Sequence, residues 1–370
     1  MDLSALRGPF GMVLTAIAVA FFYVILWFYL AGQAARVIED WAALQRAQGQ
    51  MAELETRVSG GFPLHIRVAI DEPRLGGRTG AVSWAWVPPP VTVEVGLFNW
   101  SRATFRTSGE HQISAIFAGE QYGYEGTIEN LVVELGLESG RKGVDDVYVY
   151  AENASLNGRG DLPWSAASLE VDLQRPAPDP EDKLAASMRL RVQGRDMVVP
   201  PLEATPLGPR MRLLDLSATL KGRIEGRRLI QALHQWTAAG GVLDVERINT
   251  VWGPLGLSGN ATLALDQELQ PEGALGARMT GLFRALDAFA DAGWLTVSTA
   301  SFAKVVLGSL ARPNPEGGSP ILDIAITVQD RTLHVGKVKI GTLPRIEWDS
   351  PLSSLLGFYY APADGARPRE

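Results

Sequence analysis

The chain contains no cysteine and only four histidines, His65, His111, His234 and His334. The first absence removes disulfide frameworks, thiolate nucleophiles and cysteine zinc sites, while leaving the redox compartment undecided. The second leaves metal chemistry short of ligands, and no two histidines stand at the spacing of a helical HxxxH zinc site. Lysine is scarce too, at six against 28 arginines, a bias that a GC-rich genome explains more simply than a binding role. Nor is there a surplus of positive charge: 34 basic against 41 acidic residues give a net charge of −7 and a pI near 5.3. That balance argues against a binder of phosphate backbones, so nucleic acid is not an expected partner.

Catalytic signatures are equally thin. No GxSxG elbow, P-loop or GxGxxG follows a strand pattern. Gly253, Gly256 and Gly259 in WGPLGLSG are spaced by three, which suits bends or bulges in a strand. Asp145 with Asp146, and Asp287 with Asp291, are acid pairs that solvated surface charge explains. Asp179, Glu181 and Asp182 lack the glycine and terminal glutamate of a calcium loop. The expectation is a protein that is not an enzyme, with no catalytic residue, no metal and no cofactor.

What the chain has in quantity is apolar sequence, 46% of 370 residues, enough for one large or two ordinary cores. No charged residue falls between Arg7 and Arg36, a gap of 28 positions. Within it Pro9 to Ala31 approaches the ~20 apolar residues that a helix needs to cross hydrocarbon. Residues 9–31 are therefore assigned as a transmembrane helix behind a short cytoplasmic leader, 1–8. Tyr23, Trp27 and Tyr29 crowd its C-terminal half, where aromatic rings favour the interface. A cleaved signal peptide is the alternative, since Gly32 and Ala34 are small, but its apolar region spans only ~7–15 residues. Flanking arginines do not settle orientation; the short leader before a long body favours the amino terminus inside. In a Gram-negative cell that places the protein in the inner membrane as a single-pass protein, with its body in the periplasm.

Residues 32–49 continue a helical period, with Val37, Trp41 and Leu44 on one stripe and Gly49 as the stop. The stripe is expected to pack on the protein's own body, with a coiled-coil contact as the alternative. From residue 50 the period changes to two, the mark of strands with one buried face. Val91 to Leu97, Leu131 to Leu137, Leu169 to Leu173, Met188 to Val192 and Leu214 to Leu220 all alternate. Leu255 to Leu265, Leu275 to Met279, Leu322 to Val328 and Leu333 to Ile340 continue the theme. At least nine strands follow, mostly antiparallel.

Helical interruptions are expected at Arg227 to Ala239 and at Thr280 to Leu310, the latter split near Gly293. The second of its helices should carry Phe302, Val305, Val306 and Leu310 as its apolar stripe. The body is thus residues 50–360, with a subdivision near 175–184 or, equally, a long hairpin loop there. A polar tail, 361–370, is expected to be disordered. Most of the ten tryptophans are expected to anchor the core, with a minority lining a groove.

Arg46-Ala47-Gln48-Gly49 followed by Ser59-Gly60-Gly61-Phe62-Pro63 resembles the opening signature of an inner-membrane family of alphaproteobacteria, domain of unknown function 2125. Trp252 to Gly259 running on to Leu263, Leu265 and Asp266, then Val335-Gly336 and Gly341 to Pro344, strengthen the resemblance, which covers most of the chain to about residue 345. The order of anchor, glycine break and β-rich body is also similar to AsmA-like envelope proteins. That likeness implies sheets curled into apolar-lined grooves for lipid.

The fold class expected is therefore mainly β with a few helices, an antiparallel sheet or sheets curled into a sandwich or an open groove behind an N-terminal helix. A one-sided apolar sheet must cover that side with a second sheet, helices or a ligand such as an acyl chain. Val133, Leu135, Leu214, Leu216, Leu263 and Leu265 are the candidate lipid-contact residues, or core residues if the body is closed. The expected partners are the membrane and a phospholipid or glycolipid, bound or handed over in envelope biogenesis. An envelope scaffold that docks a protein and holds no lipid is the alternative.

Overall fold

The computed structural model describes residues 9–348, apart from 80–81, 118–119, 138–143, 159–161, 178, 180, 225–228, 316, 337, 344 and 347. The leader 1–8, the last part of the body and the tail 361–370 lie outside the described residues.

Helix α1 runs without a break over Pro9–Ala47, about 58 Å at 1.5 Å per residue. It is long and apolar enough to cross a membrane. Gly49, at φ +79°, stops it, and the Gln50 N–H turns back to the Gln45 carbonyl at 3.0 Å. The body that follows is mainly β. Its strands are β1 (Met51–Gly60), β2 (His65–Thr79), β3 (Val82–Val87), β4 (Val91–Gly96), β5 (Asn99–Phe117), β6 (Glu120–Leu137), β7 (Val144–Asn157) and β8 (Trp164–Gln174). They continue as β9 (Ala186–Val198), β10 (Arg210–Lys221), β11 (Val242–Trp252), β12 (Leu255–Leu265), β13 (Pro271–Thr280), β14 (Ile321–Gln329), β15 (Thr332–Val335) and β16 (Val338–Thr342).

All belong to one antiparallel sheet, and from β5 onward each strand pairs with the next in sequence. The expected strand Leu333 to Ile340 is instead two, folded back at Gly336, whose φ of +59° suits a residue without Cβ. The proline-rich stretch near 175–184 is a hairpin loop joining hydrogen-bonded β8 and β9. β3 and β4 share one position between β2 and β5, end to end. Pro88 to Pro90 fill the break between them, where the missing N–H donors cost the ladder nothing.

Three shorter helices interrupt the meander. α2 (Leu229–Ala238) joins β10 to β11, and α3 (Leu282–Asp291) with α4 (Val297–Gly308) joins β13 to β14. The hydrophobic clusters lie where helices meet the sheet. Trp27, Ala31 and Ala34 of α1 pack on Ile66, Val68 and Leu97, and Ile38 packs on Ile70, Val91 and Val93. At the opposite end Ala303 and Leu307 pack on Leu322, joined by Leu282, Phe283 and Leu286.

Three sequence expectations are corrected here. The α1 stripe that packs is Ala34, Ile38 and Ala42, while Val37, Trp41 and Leu44 face outward at 64%, 46% and 55% exposure. Both stripes have helical spacing, and close approach to a sheet selects the one with small side chains. In α4 the outward residues are Phe302 and Val305, with Ala300, Ala303 and Leu307 buried instead. Of the ten tryptophans only Trp27 and Trp236 are fully buried; Trp41, Trp84, Trp100 and Trp294 are exposed.

Ile66→Ala, beneath α1, should cost about 2–5 kcal/mol of stability. Val192→Ala, on an uncovered part of the same face, should cost only about 1 kcal/mol. Thermal unfolding of the full chain in detergent micelles measures both, and equal losses would mean the face is covered throughout.

Candidate functional site: one apolar face of the sheet

Strand register decides which side chains share a face, because alternate residues point to opposite sides. Following the partners across the sheet gives one uninterrupted apolar row. It runs Val58, Val68, Val93, Phe105, Val133, Val149, Val171, Val192, Leu216, Ile248, Gly259, Ala277 and Ile324. It crosses thirteen strands, β1, β2 and β4 to β14, and contains no polar side chain. The adjacent row is apolar as well: Ile66, Val95, Ala103, Leu135, Val147, Leu173, Leu190, Ala218, Val245, Ala261, Leu275 and Ile326.

Burial along the first row follows the helices. Val68 and Val93, under α1, are buried, and so is Ala277 near α3. From Phe105 on β5 to Gly259 on β12 every member is half-buried and none is sealed. The two inner faces of a closed sandwich would bury such residues fully. The first row is thus covered at both ends and half-open between, whereas in the second row Ala218 on β10 and Val245 on β11 are buried.

The opposite face is polar. One of its rows reads Thr92, Arg106, Val132, Tyr150, Glu170, Gln193, Asp215, Asn249, Ser258, Arg278 and Asp323. Cross-strand ion pairs lace it, including Arg67–Glu94 at 2.7 Å, Arg278–Asp323 at 2.9 Å and Arg247–Asp215 at 3.4 Å. The Arg67 guanidinium, hydrogen-bonded to Glu94, holds that carboxyl below its usual value. Asp244, 2.8 Å from the Lys221 ammonium, raises the lysine. Exposed pairs of this kind are each worth ~0–1 kcal/mol; they define the wet side more than they hold the fold.

The six candidate contact residues all fall on apolar rows. Val133 and Leu216 lie in the first row and Leu135 in the second. Leu214 faces Thr250 and Gly194, Leu263 faces Leu243 and Gly273, and Leu265 faces Pro271. Each is half-buried. They do not converge on one pocket but spread over β6, β10 and β12. Sequence reasoning passes over Phe105, Val149, Val171, Val192 and Ile248 as contacts; it reads the alternation around Val171 and Val192, misses the strands that carry Phe105, Val149 and Ile248, and holds nothing of the register linking them.

Among the described residues no three His, Asp or Glu side chains gather as metal ligands. Asp287 is tied to Lys304 of α4, one strut of the α3–α4 pair. The glycine-rich stretch Trp252 to Gly259 is the β11–β12 hairpin. Gly253 sits there at φ +53°, where a Cβ would meet the Leu207 carbonyl oxygen at 2.5 Å.

These features define a class: a β protein of one broad sheet, apolar on one side, hung from an apolar helix that also caps part of that side. The chain belongs to the family described as uncharacterized protein conserved in bacteria, DUF2125, whose sequence profile matches residues 27–344. No curated protein and no solved structure matches it.

One buried titratable group stands apart. His111 is completely buried beside the Pro88–Pro90 break, stacked on Trp86 at 6.1 Å, and its Nδ1 accepts from the Trp86 indole at 3.3 Å. Its Nε2 has no partner among the described residues, and burial pushes the imidazole below its ordinary 6.5. The unfolded chain therefore binds a proton near pH 6.5 that the folded chain refuses. Stability should be full above that pH and fall as pH drops toward the folded value. Denaturant midpoints measured between about pH 7 and pH 5 should show this slope, and His111→Phe should flatten it.

Proposed function

We propose that this protein is a single-pass membrane protein of the bacterial inner membrane, and that its periplasmic β body binds or hands over lipid in envelope biogenesis. The observation that carries the reading is the apolar row across thirteen strands, half-covered from β5 to β12. Eight strands make seven steps of about 4.8 Å, an open strip roughly 34 Å long. One leaflet's hydrocarbon is about 15 Å deep, half of the ~30 Å core, so the strip accommodates the chains of two lipids in file.

Each methylene kept from water is worth about 0.8 kcal/mol, whether a bilayer or the sheet shelters it. Moving a chain from one to the other is therefore close to balanced, which suits exchange better than permanent storage. A phospholipid or glycolipid headgroup would remain in water at the rim. No side chain is assigned a reaction and no cofactor is invoked. The likeness of the chain's layout to AsmA-like envelope proteins accords with the reading.

A second reading rests on α4 and its flanks. Trp294, Val297, Phe302, Val305 and Leu310 are 54–75% exposed and form an apolar outer surface on the α3–α4 pair. A scaffold would dock a protein partner there.

Photo-crosslinking of the full chain in cells separates the two. A benzophenone amino acid at Val149 or Val171 should capture radiolabelled lipid, and one at Tyr148 or Asp172, on the opposite face, should not. Protein adducts at Phe302 with no lipid at Val171 would replace the lipid reading by the scaffold. A charge offers a further check: Val171→Asp should leave the fold intact and abolish lipid capture. Val68→Asp, which buries an unpaired carboxylate under α1, should unfold the body.

A further inference from the structure

Two turns at the α1 end of the sheet carry bare apolar residues. The β1–β2 turn exposes Phe62 and Leu64 at 52% and 56%, and the β4–β5 turn exposes Phe98 and Trp100 at 81% and 42%. The turns are neighbours: His65 pairs with Gly96, and the Leu97 N–H donates to the Leu64 carbonyl at 2.9 Å. No charged residue falls in Ser59 to Leu64 or in Val95 to Ser101. Arg67 and Arg102, more than half exposed, stand just behind the tips.

The height of the first turn relative to α1 is set by contacts. The Tyr23 hydroxyl donates to the Pro63 carbonyl at 2.6 Å, and the Trp27 indole donates to the His65 carbonyl at 2.9 Å. The Phe62 ring lies 6.0 Å from that of Tyr23 and 5.6 Å from that of Trp27. Gly61, at φ +102°, makes the bend, and a Cβ there would meet the His65 carbonyl oxygen at 2.5 Å. Tyr23 precedes Ala31, the end of the apolar run, by eight residues, about 12 Å along a helix.

We propose that both turns are immersed in the leaflet from which α1 emerges, seating the body on the bilayer beside its anchor. The proposal rests on the reading of α1 as a membrane span. With Pro9 to Ala31 in the membrane, a turn bonded at Tyr23 lies well below the point where the run leaves it. Its residues suit that depth, for aromatic and aliphatic tips backed by arginines match the interface between acyl chains and headgroups. The backbone is prepared as well. The His65 N–H meets the Gly61 carbonyl at 2.9 Å and the Trp100 indole meets the Leu97 carbonyl at 3.0 Å, internal bonds of the kind that lower the cost of entering lipid.

The absence of cysteine makes the test direct. Single cysteines at Phe98, Leu64, Phe21 and Gln193, each labelled with an environment-sensitive fluorophore, are placed in full chains. These are reconstituted in nanodiscs of phosphatidylglycerol and chain-brominated phosphatidylcholine. Labels at 98 and 64 should be quenched several-fold more by the brominated chains than the label at 193, and less by aqueous iodide. Lipid quenching at 21 with water-exposed labels at 98 and 64 would overturn the immersion and leave the anchor standing. Water-exposed labels at 21, 64 and 98 together would overturn the anchor and the immersion alike.

Discussion

A sheet with one apolar face cannot leave that face in water, and the architecture follows from this constraint. The row from Val58 to Ile324 is too wide for any one helix to cover, and the described chain supplies no second sheet to lie on it. The available cover is divided: α1 lies on β1, β2 and β4, and α3–α4 lies near β12 to β14. Ile66, Val68 and Leu322 are fully buried under these lids; between them the row from Phe105 to Gly259 stays half-open, although its neighbours Ala151, Ala218 and Val245 are buried.

The first lid has two duties. Helix α1 presents small residues, Ala31, Ala34 and Ala42, to the sheet, so the backbones approach closely, and it anchors the seam with Trp27. The same helix carries the apolar run suited to a membrane. Body and helix are consequently joined at the level of Tyr23 and Trp27, with hydrogen bonds to Pro63 and His65 across the seam. A flexible tether would let the body tumble; this seam fixes its face and its height with respect to the helix. The stripe Val37, Trp41 and Leu44 is left on the outside of the assembly.

The polar side contributes solubility and register more than stability. Arg247 pairs with Asp215 and Arg278 with Asp323 across neighbouring strands, and these ion pairs are exposed enough for water to weaken them. His111 departs from this division, a polar ring sealed beside a proline break where β3 ends and β4 begins, and Ser217 and Thr219 on the polar side are buried as well.

Much of this was legible in the order of residues. The period-two alternation from Val91 to Val328 marks strands because a pleated chain turns its side chains by half a turn at each residue. Gly49 and Gly253 mark turns because their φ values lie where a Cβ is strained. The uncharged stretch of 28 residues marks a helix fit for a membrane. What only the tertiary structure decided is pairing and cover. Two stripes of α1 had equal helical spacing, and the approach to β2 chose the one with alanines. Val133, Leu216 and Ile248 became neighbours in one row only through register, a relation between segments far apart in the chain. Whether an apolar residue is core or open surface depends on what lies above it, and a local pattern, which knows only its own strand, holds no information about the lid.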